Sequence, residues 1–317
     1  MNKTNHTSNF EFYQNQVLPA LYFTTFIIGL FTNGWGCRTL WQKWKKLGNI
    51  NVFVLNLGLV NILFLPILPF FTFYYLRKEW IFGSEFCKVT RFCFNLNLYC
   101  SIGFLTCISV YRYLAIVHPM RVKGRLTVTH SVAISVLVWL LVSIQSLPDT
   151  SFPKILRKNT TKCYHTTTIP YVEDYLKYSL VWTVTGFFIP FLINVGCYGH
   201  VTLVLCHSNN IDKVLKQKSL RLLFILTLLF CVCYIPHHVL KNLTLYARVL
   251  RKRKIYDISW ENDVFKAHQV SRGLVCLNSA LNPLVCLRVS QHIPASIRNL
   301  FLRVHQMISV TKTDEDL

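Results

Sequence analysis

Six long stretches of the chain contain no Asp, Glu, Lys or Arg: 12–37, 47–76, 92–111, 126–148, 178–211 and 222–240. Soluble helices keep a charged face, whereas a helix that crosses the hydrocarbon core of a bilayer needs about 20 apolar residues. A seventh segment is interrupted by Asp263, Lys266 and Arg272 and is uncharged from 273 to 287. The pattern predicts seven spanning helices, at about 15–42, 50–77, 84–117, 128–148, 173–206, 216–249 and 262–287. Residues 290–305 predict a short amphipathic eighth helix on the inner membrane surface, with Ile293, Ile297, Leu300 and Phe301 on one side. The fold class is therefore an all-α membrane protein, a seven-transmembrane-helix bundle over 15–305 between tails at 1–14 and 306–317. Pro148, Pro190, Pro236 and Pro283 fall in or at the ends of spans, where a proline kinks a helix.

Composition agrees: 52% of the 317 residues are hydrophobic and 15% charged, too apolar for an ordinary soluble domain. The opening MNKTNHTSNFEFYQN is polar and shows no cleavable signal peptide. It carries glycosylation sequons at Asn2 and Asn5, and a third stands at Asn159 after the fourth segment. Their agreement with seven spans predicts an extracellular N-terminus. Asn242 also heads a sequon, at a helix end. On that topology the basic residues divide about evenly between the two faces, so the positive-inside signal is lost. Outer clusters at Lys154–Lys162 and Arg248–Lys254 would steer anions inward, unless Glu173, Asp174, Asp257, Glu261 and Asp263 neutralise them.

Ten of the twelve cysteines lie within or at the inner ends of the spans. Cys87 and Cys163 alone fall at outer positions, where an oxidising compartment favours pairing. Such a bridge would pin the loop after the fourth segment across the bundle. No metal-ligand spacing, cofactor motif or catalytic constellation appears, and nothing implies a nucleic-acid polymer as partner. No acid lies deep in a span and no inverted repeat is visible, which argues against proton-coupled transport.

Several motifs now combine. Asn33 stands in GLFTNG, Trp80 and Cys87 in WIFGSEFCKVTRF, Arg112 in SVYRYLAI, and Trp139 in the fourth segment. Pro190 and Tyr198 stand in FFIPFLINVGCY, Phe230, Tyr234 and Pro236 in FCVCYIP, and Asn282 and Pro283 in LNSALNPL. With these the chain resembles a class A G-protein-coupled receptor over about 15–305. CKVTRFCFNLNLYCSIGFLTCIS, RKNTTKCYHTT, His238-Val-Leu-Lys241 and Gln269-Val-Ser-Arg272 make it most similar to the purinergic nucleotide receptors. The resemblance implies a plasma-membrane receptor with an extracellular nucleotide of ADP, ATP or UTP type as ligand. It implies a heterotrimeric G protein as partner, of the Gq type linked to calcium, contacted by Arg112 and the loop HPMRVKGR. Related receptors take dicarboxylates or acidic lipids and also use basic residues here. A poorly signalling scavenger or partner receptor is a further reading.

Helix residues three apart share a face, so His238 pairs with Lys241 and Gln269 with Arg272. Arg91, Asn95 and Tyr99 form a stripe on the third segment. Three cations, Arg91, Lys241 and Arg272, are expected to converge near the outer mouth. Phosphates suit them, since Arg offers a planar fork and Lys a point charge. Tyr99, Phe265, His268 and Tyr75 are expected to stack on a base. The plainer alternatives are that Lys241 and Arg272 snorkel or pair with acids such as Asp174, and that His238 and Asn95 only bond between helices.

The chain departs from the class in places. Asn61 stands where relatives carry an Asp that helps bind sodium, and a neutral amide holds a cation poorly. Tyr111 precedes Arg112 where an acid is usual, Cys286 replaces a tyrosine after NPLV, and Tyr234 stands where many members have Trp. The second outer disulfide of the family has no cysteine at either end.

Overall fold

The computed structural model describes residues 16–42, 49–118, 127–157, 161–207, 220–221, 224–225, 227–254 and 260–289. The tails at 1–14 and 306–317, the eighth helix at 290–305 and the sequons at Asn2, Asn5 and Asn159 lie outside them. Seven long helical segments stand among the described residues. They are α1 (Leu18–Gln42), α2 (Asn49–Arg77), α3 (Ser84–Val117) and α4 (Val128–Ser151). After them come α5 (Val172–Thr183 and Ile189–His207, joined by a π turn), α6 (Thr227–Lys252) and α7 (Glu261–Val289). Helices α2 to α6 are long and apolar enough to cross a membrane. The apolar run of α1 is interrupted by Thr32, Asn33 and Arg38, and α7 carries Glu261, Asp263, Lys266 and Arg272 in its first half.

The helices close a ring: α1 packs on α2 and α7, α2 on α3, α3 on α4 and α5, α5 on α6, and α6 on α7. The outer surface is apolar, with Leu137, Leu140, Leu141 and Ile144 of α4 each more than half exposed. A band this greasy suits lipid, and soluble proteins avoid it.

Prolines set the irregularities. Pro66 and Pro69 lack an N–H to donate, and α2 tightens into a 3-10 turn at Leu65–Ile67. The sequence reading passed over this break. Pro190 and Pro236 each follow a π turn, at Val184–Phe188 and Phe230–Tyr234. Widening the turn there relieves the clash between the proline ring and the carbonyl four residues back. Pro148, expected to end α4, is instead carried inside it, and the helix continues to Ser151.

The π turn of α5 brings Gly186 against two rings that stack flat on each other, Tyr99 and Trp182, with centroids 3.8 Å apart. A Cβ at Gly186 would meet Trp182 at 2.6 Å and Tyr99 at 2.7 Å. Gly186→Ala is expected to destabilise the bundle by about 1–3 kcal/mol through overpacking. A thermal melt of the purified receptor checks this.

The segment after α4 folds into an unexpected hairpin, β1 (Ile155–Arg157) with β2 (Thr161–Cys163), paired antiparallel with Ile155 opposite Cys163. The Cys87–Cys163 disulfide, with Cα atoms 5.9 Å apart, ties β2 to the start of α3 as expected. Trp80 N–H donates to Thr161 O (2.8 Å), adding a second tie. The loop therefore lies as a strap across the Cys87 end of the bundle.

Candidate ligand site

Beneath the strap is a cavity of about 620 Å³, within the size range of small-molecule sites. Arg91 lies one helical turn after Cys87, so the disulfide brings the end of β2 over it. Its Nη2 donates to Cys163 O (2.9 Å), and its guanidinium lies 4.8 Å above the Phe71 ring. On α7, Arg272 Nη1 donates to Gln269 Oε1 (2.7 Å) and to Tyr75 OH (3.1 Å). Tyr75 OH donates to the same Gln269 oxygen (3.2 Å), so α2 and α7 together aim the guanidinium.

Both arginines are buried, Arg91 2% and Arg272 1% exposed. Nε and Nη1 of Arg91, and Nε and Nη2 of Arg272, have no hydrogen-bond partner among the described residues. Buried donors left without acceptors are costly, and charged ones more so. Six cationic side chains line the cavity: Lys78, Arg91, Lys162, Arg248, Arg251 and Arg272. Among the described residues they meet one carboxylate, Glu261, which Arg251 holds at 3.1 Å. The chamber is thus complementary to an anion. Tyr74, Tyr75, Tyr164 and Phe265 give it aromatic walls.

Of the nine residues expected at the site, Arg91, Phe265, His268, Gln269 and Arg272 line this cavity. Asn95, Tyr99, His238 and Lys241 do not. Asn95 is buried within α3. Tyr99 lies flat on Trp182, and His238 stacks on Phe187 at 4.4 Å. Lys241 faces α5, its Nζ 5.9 Å from the centre of the Tyr175 ring, and the Asp149 carboxylate acts on it. Spacing shows that His238 and Lys241 share a face but not where that face turns, and α6 turns it toward α4 and α5. Arg272 neither snorkels nor pairs with an acid among the described residues.

Sequence reasoning gave Arg248 and Lys162 only a role in steering anions from a distance, and did not single out Tyr164 and His165 of the strap. Arg248 Nη1 donates to Thr166 Oγ1 and its Nη2 to Thr167 O, both at 2.7 Å, latching α6 to the strap. Adjacency to Cys163 was the available signal, since a disulfide to α3 fixes the residues that follow it.

Lys154 is also not the free outer charge the sequence suggested. Its Nζ binds Asp149 Oδ1 (2.7 Å) and Thr166 O (2.6 Å), and both side chains of the ion pair are fully buried. Tyr175 OH donates to the same carboxylate oxygen (2.6 Å). Because α4 runs past Pro148, Asp149 sits in its last turn, so one span does bury an acid.

At the bundle centre, Asn61 Nδ2 donates to Asn33 Oδ1 (3.2 Å) and Asn97 Nδ2 to Asn61 Oδ1 (3.0 Å). Ser279 Oγ donates to Asn97 Oδ1 (2.8 Å), and Asn33 Nδ2 to Ser279 O (3.1 Å). These groups from α1, α2, α3 and α7 satisfy one another without a charge. Ligand affinity is therefore expected to stay unchanged when sodium is replaced by choline, and Asn61→Asp to introduce sodium dependence. Competition binding in the two salts checks this.

Nearby, Phe230 and Tyr234 are buried in the π turn before Pro236, and Asn278 Nδ2 donates to Tyr234 OH. Asn282 is buried in α7, and the Pro283 side chain lies outside the described residues. At the far end of the bundle, beside Arg112, Tyr113 OH and His200 Nδ1 are 3.2 Å apart, with Tyr198 packed close by.

The pattern of the 7 transmembrane receptor (rhodopsin family) matches residues 33–285. The chain belongs to this receptor family. The receptor is 39% identical over 281 residues to purinoceptor 1 of Homo sapiens, covering 88% of this chain and 74% of that protein. Purinoceptor 1 of Gallus gallus is 38% identical over 281 residues, covering 88% and 76%. The 2-oxoglutarate receptor 1 of Rattus norvegicus is 33% identical over 282 residues, covering 88% and 82%. The family is one of receptors, not of enzymes.

Proposed function

We propose that the receptor is activated by an extracellular nucleotide of ADP, ATP or UTP type. One observation carries this: Arg91 and Arg272, both buried in the wall of a cationic chamber with aromatic sides, each keep two guanidinium nitrogens without a partner among the described residues. Phosphate oxygens are the acceptors that such forks match bidentately, and a base stacks on Phe265 or Tyr75. His268 and Gln269 complete the contacts. Asn95, Tyr99, His238 and Lys241 stand behind them and set the packing of α3, α5 and α6.

In this reading the N-terminus (1–14) is extracellular, with glycans on Asn2, Asn5 and Asn159, the receptor domain is 15–305, and 306–317 is cytoplasmic. Ligand binding favours an arrangement in which α6 moves about Pro236, and that preference shifts the equilibrium. Phe230, Tyr234, Tyr198, Asn282 and Pro283 carry the change to Arg112. A heterotrimeric G protein of the Gq type, raising calcium, engages there.

A second reading keeps the chamber and changes the ligand to a dicarboxylate. It is favoured by the similarity to a 2-oxoglutarate receptor and by a chamber equally suited to carboxylates. Calcium output in cells given ADP, ATP, UDP, UTP, succinate or 2-oxoglutarate separates the two. A nucleotide response supports the proposal, and a response to a dicarboxylate alone replaces it.

A further inference from the structure

His165 is the second residue after Cys163, so the disulfide delivers it to the cavity wall. Its ring lies 4.9 Å from Phe94 and 6.3 Å from His268. Its Nε2 is buried and has no hydrogen-bond partner among the described residues. Every element around it brings charge or a titratable group to the same space. Arg91 comes from α3, His237 and Arg248 from α6, and His268, Arg272 and Glu261 from α7. Tyr75 comes from α2, and Lys162 from its own strap. Glu261 is the one acid among these residues, and Arg251 already holds it.

We propose that His165 is a proton-linked contact for the ligand's anionic groups, neutral in the empty receptor and protonated in the occupied one. The proposal rests on the anion-chamber reading above. Burial, and then the charges of Arg272 and Arg91, hold the empty-state imidazole well below the usual histidine range. A polyanion set against those two guanidinium groups reverses the local field. A third cation then becomes favourable, and the unpartnered Nε2 is the atom that donates to the ligand.

The sign follows from linkage. If the occupied state binds one more proton than the empty state, affinity rises as pH falls through the occupied-state pKa of His165. It levels off below the empty-state pKa, and one proton sets a ceiling of about tenfold per pH unit.

The test is ADP potency at mildly acidic and mildly alkaline pH in cells expressing wild type, His165→Asn or His165→Lys, with surface expression measured for each. The ionisation of ADP is common to all three receptors. Wild type is expected to gain about three- to tenfold in potency per pH unit beyond the gain seen in His165→Asn. His165→Lys, with a permanent charge, is expected to show high potency and the same shallow pH slope as His165→Asn. A structural role would shift both variants equally at each pH.

Equal pH ratios in wild type and His165→Asn overturn the proposal and leave the nucleotide reading standing. A wild type silent to nucleotides that answers 2-oxoglutarate with the His165-dependent slope overturns the nucleotide and keeps the proton link. Silence to every anion at both pH values overturns both.

Discussion

Arg272→Ala is expected to weaken nucleotide potency by about 30- to 4,000-fold while the receptor still reaches the cell surface. Truncating one partner of a buried, hydrogen-bonded charge pair costs about 2–5 kcal/mol, and each tenfold in affinity is about 1.4 kcal/mol. The fold should survive. Tyr75 OH still donates to Gln269 Oε1 (3.2 Å) after the guanidinium is gone, so α2 and α7 stay joined. Relieving Arg91 of a buried like charge also offsets part of the lost packing. Arg272→Lys is expected to restore potency only in part, since an ammonium keeps the charge and loses the fork. Concentration–response curves for calcium, normalised to surface expression, check the series. An Arg272→Ala receptor with wild-type potency would remove Arg272 from the ligand site.

Asp149→Ala is expected to destabilise the receptor by about 3–5 kcal/mol, because it leaves a buried ammonium uncompensated. Lys154 would keep only the Thr166 carbonyl as acceptor, and Tyr175 OH would lose its partner. The damage should reach the site. Thr166 and Thr167 are the residues that Arg248 grips, so a loosened strap releases α6 as well. Asp149→Leu combined with Lys154→Met is expected to recover most of the stability, as apolar replacements of buried ion pairs often do. Melting temperatures of the purified single and double variants decide this. A single variant that melts with wild type would show the pair to be dispensable.

The spans were legible because their signal is the absence of charge, which needs no knowledge of packing. Helix ends were less so. Pro148 reads as a stop, yet it sits within α4. Pro66 and Pro69 lie inside one apolar run that hides the break they cause.

The lining of the chamber was legible where a residue's depth and helix face sufficed, as for Arg91, Gln269 and Arg272. It was not legible that Lys241 and His238 stand outside that lining, because residues three apart share a face whose direction is set by helix rotation. Arg248 and Arg251, about two and three turns beyond Lys241, are the α6 cations that line the chamber. The Asp149–Lys154 pair was hidden for a related reason: loop cations and helix-end acids look solvated until the strap folds over them.

The most direct measurement is equilibrium binding of radiolabelled ADP to the purified receptor, beside Arg91→Ala and Arg272→Ala. A cationic nucleotide chamber predicts saturable binding to wild type, displaced by unlabelled ATP, and severely weakened in both variants. Binding that is undiminished in both variants, or absent from the wild type, would contradict it.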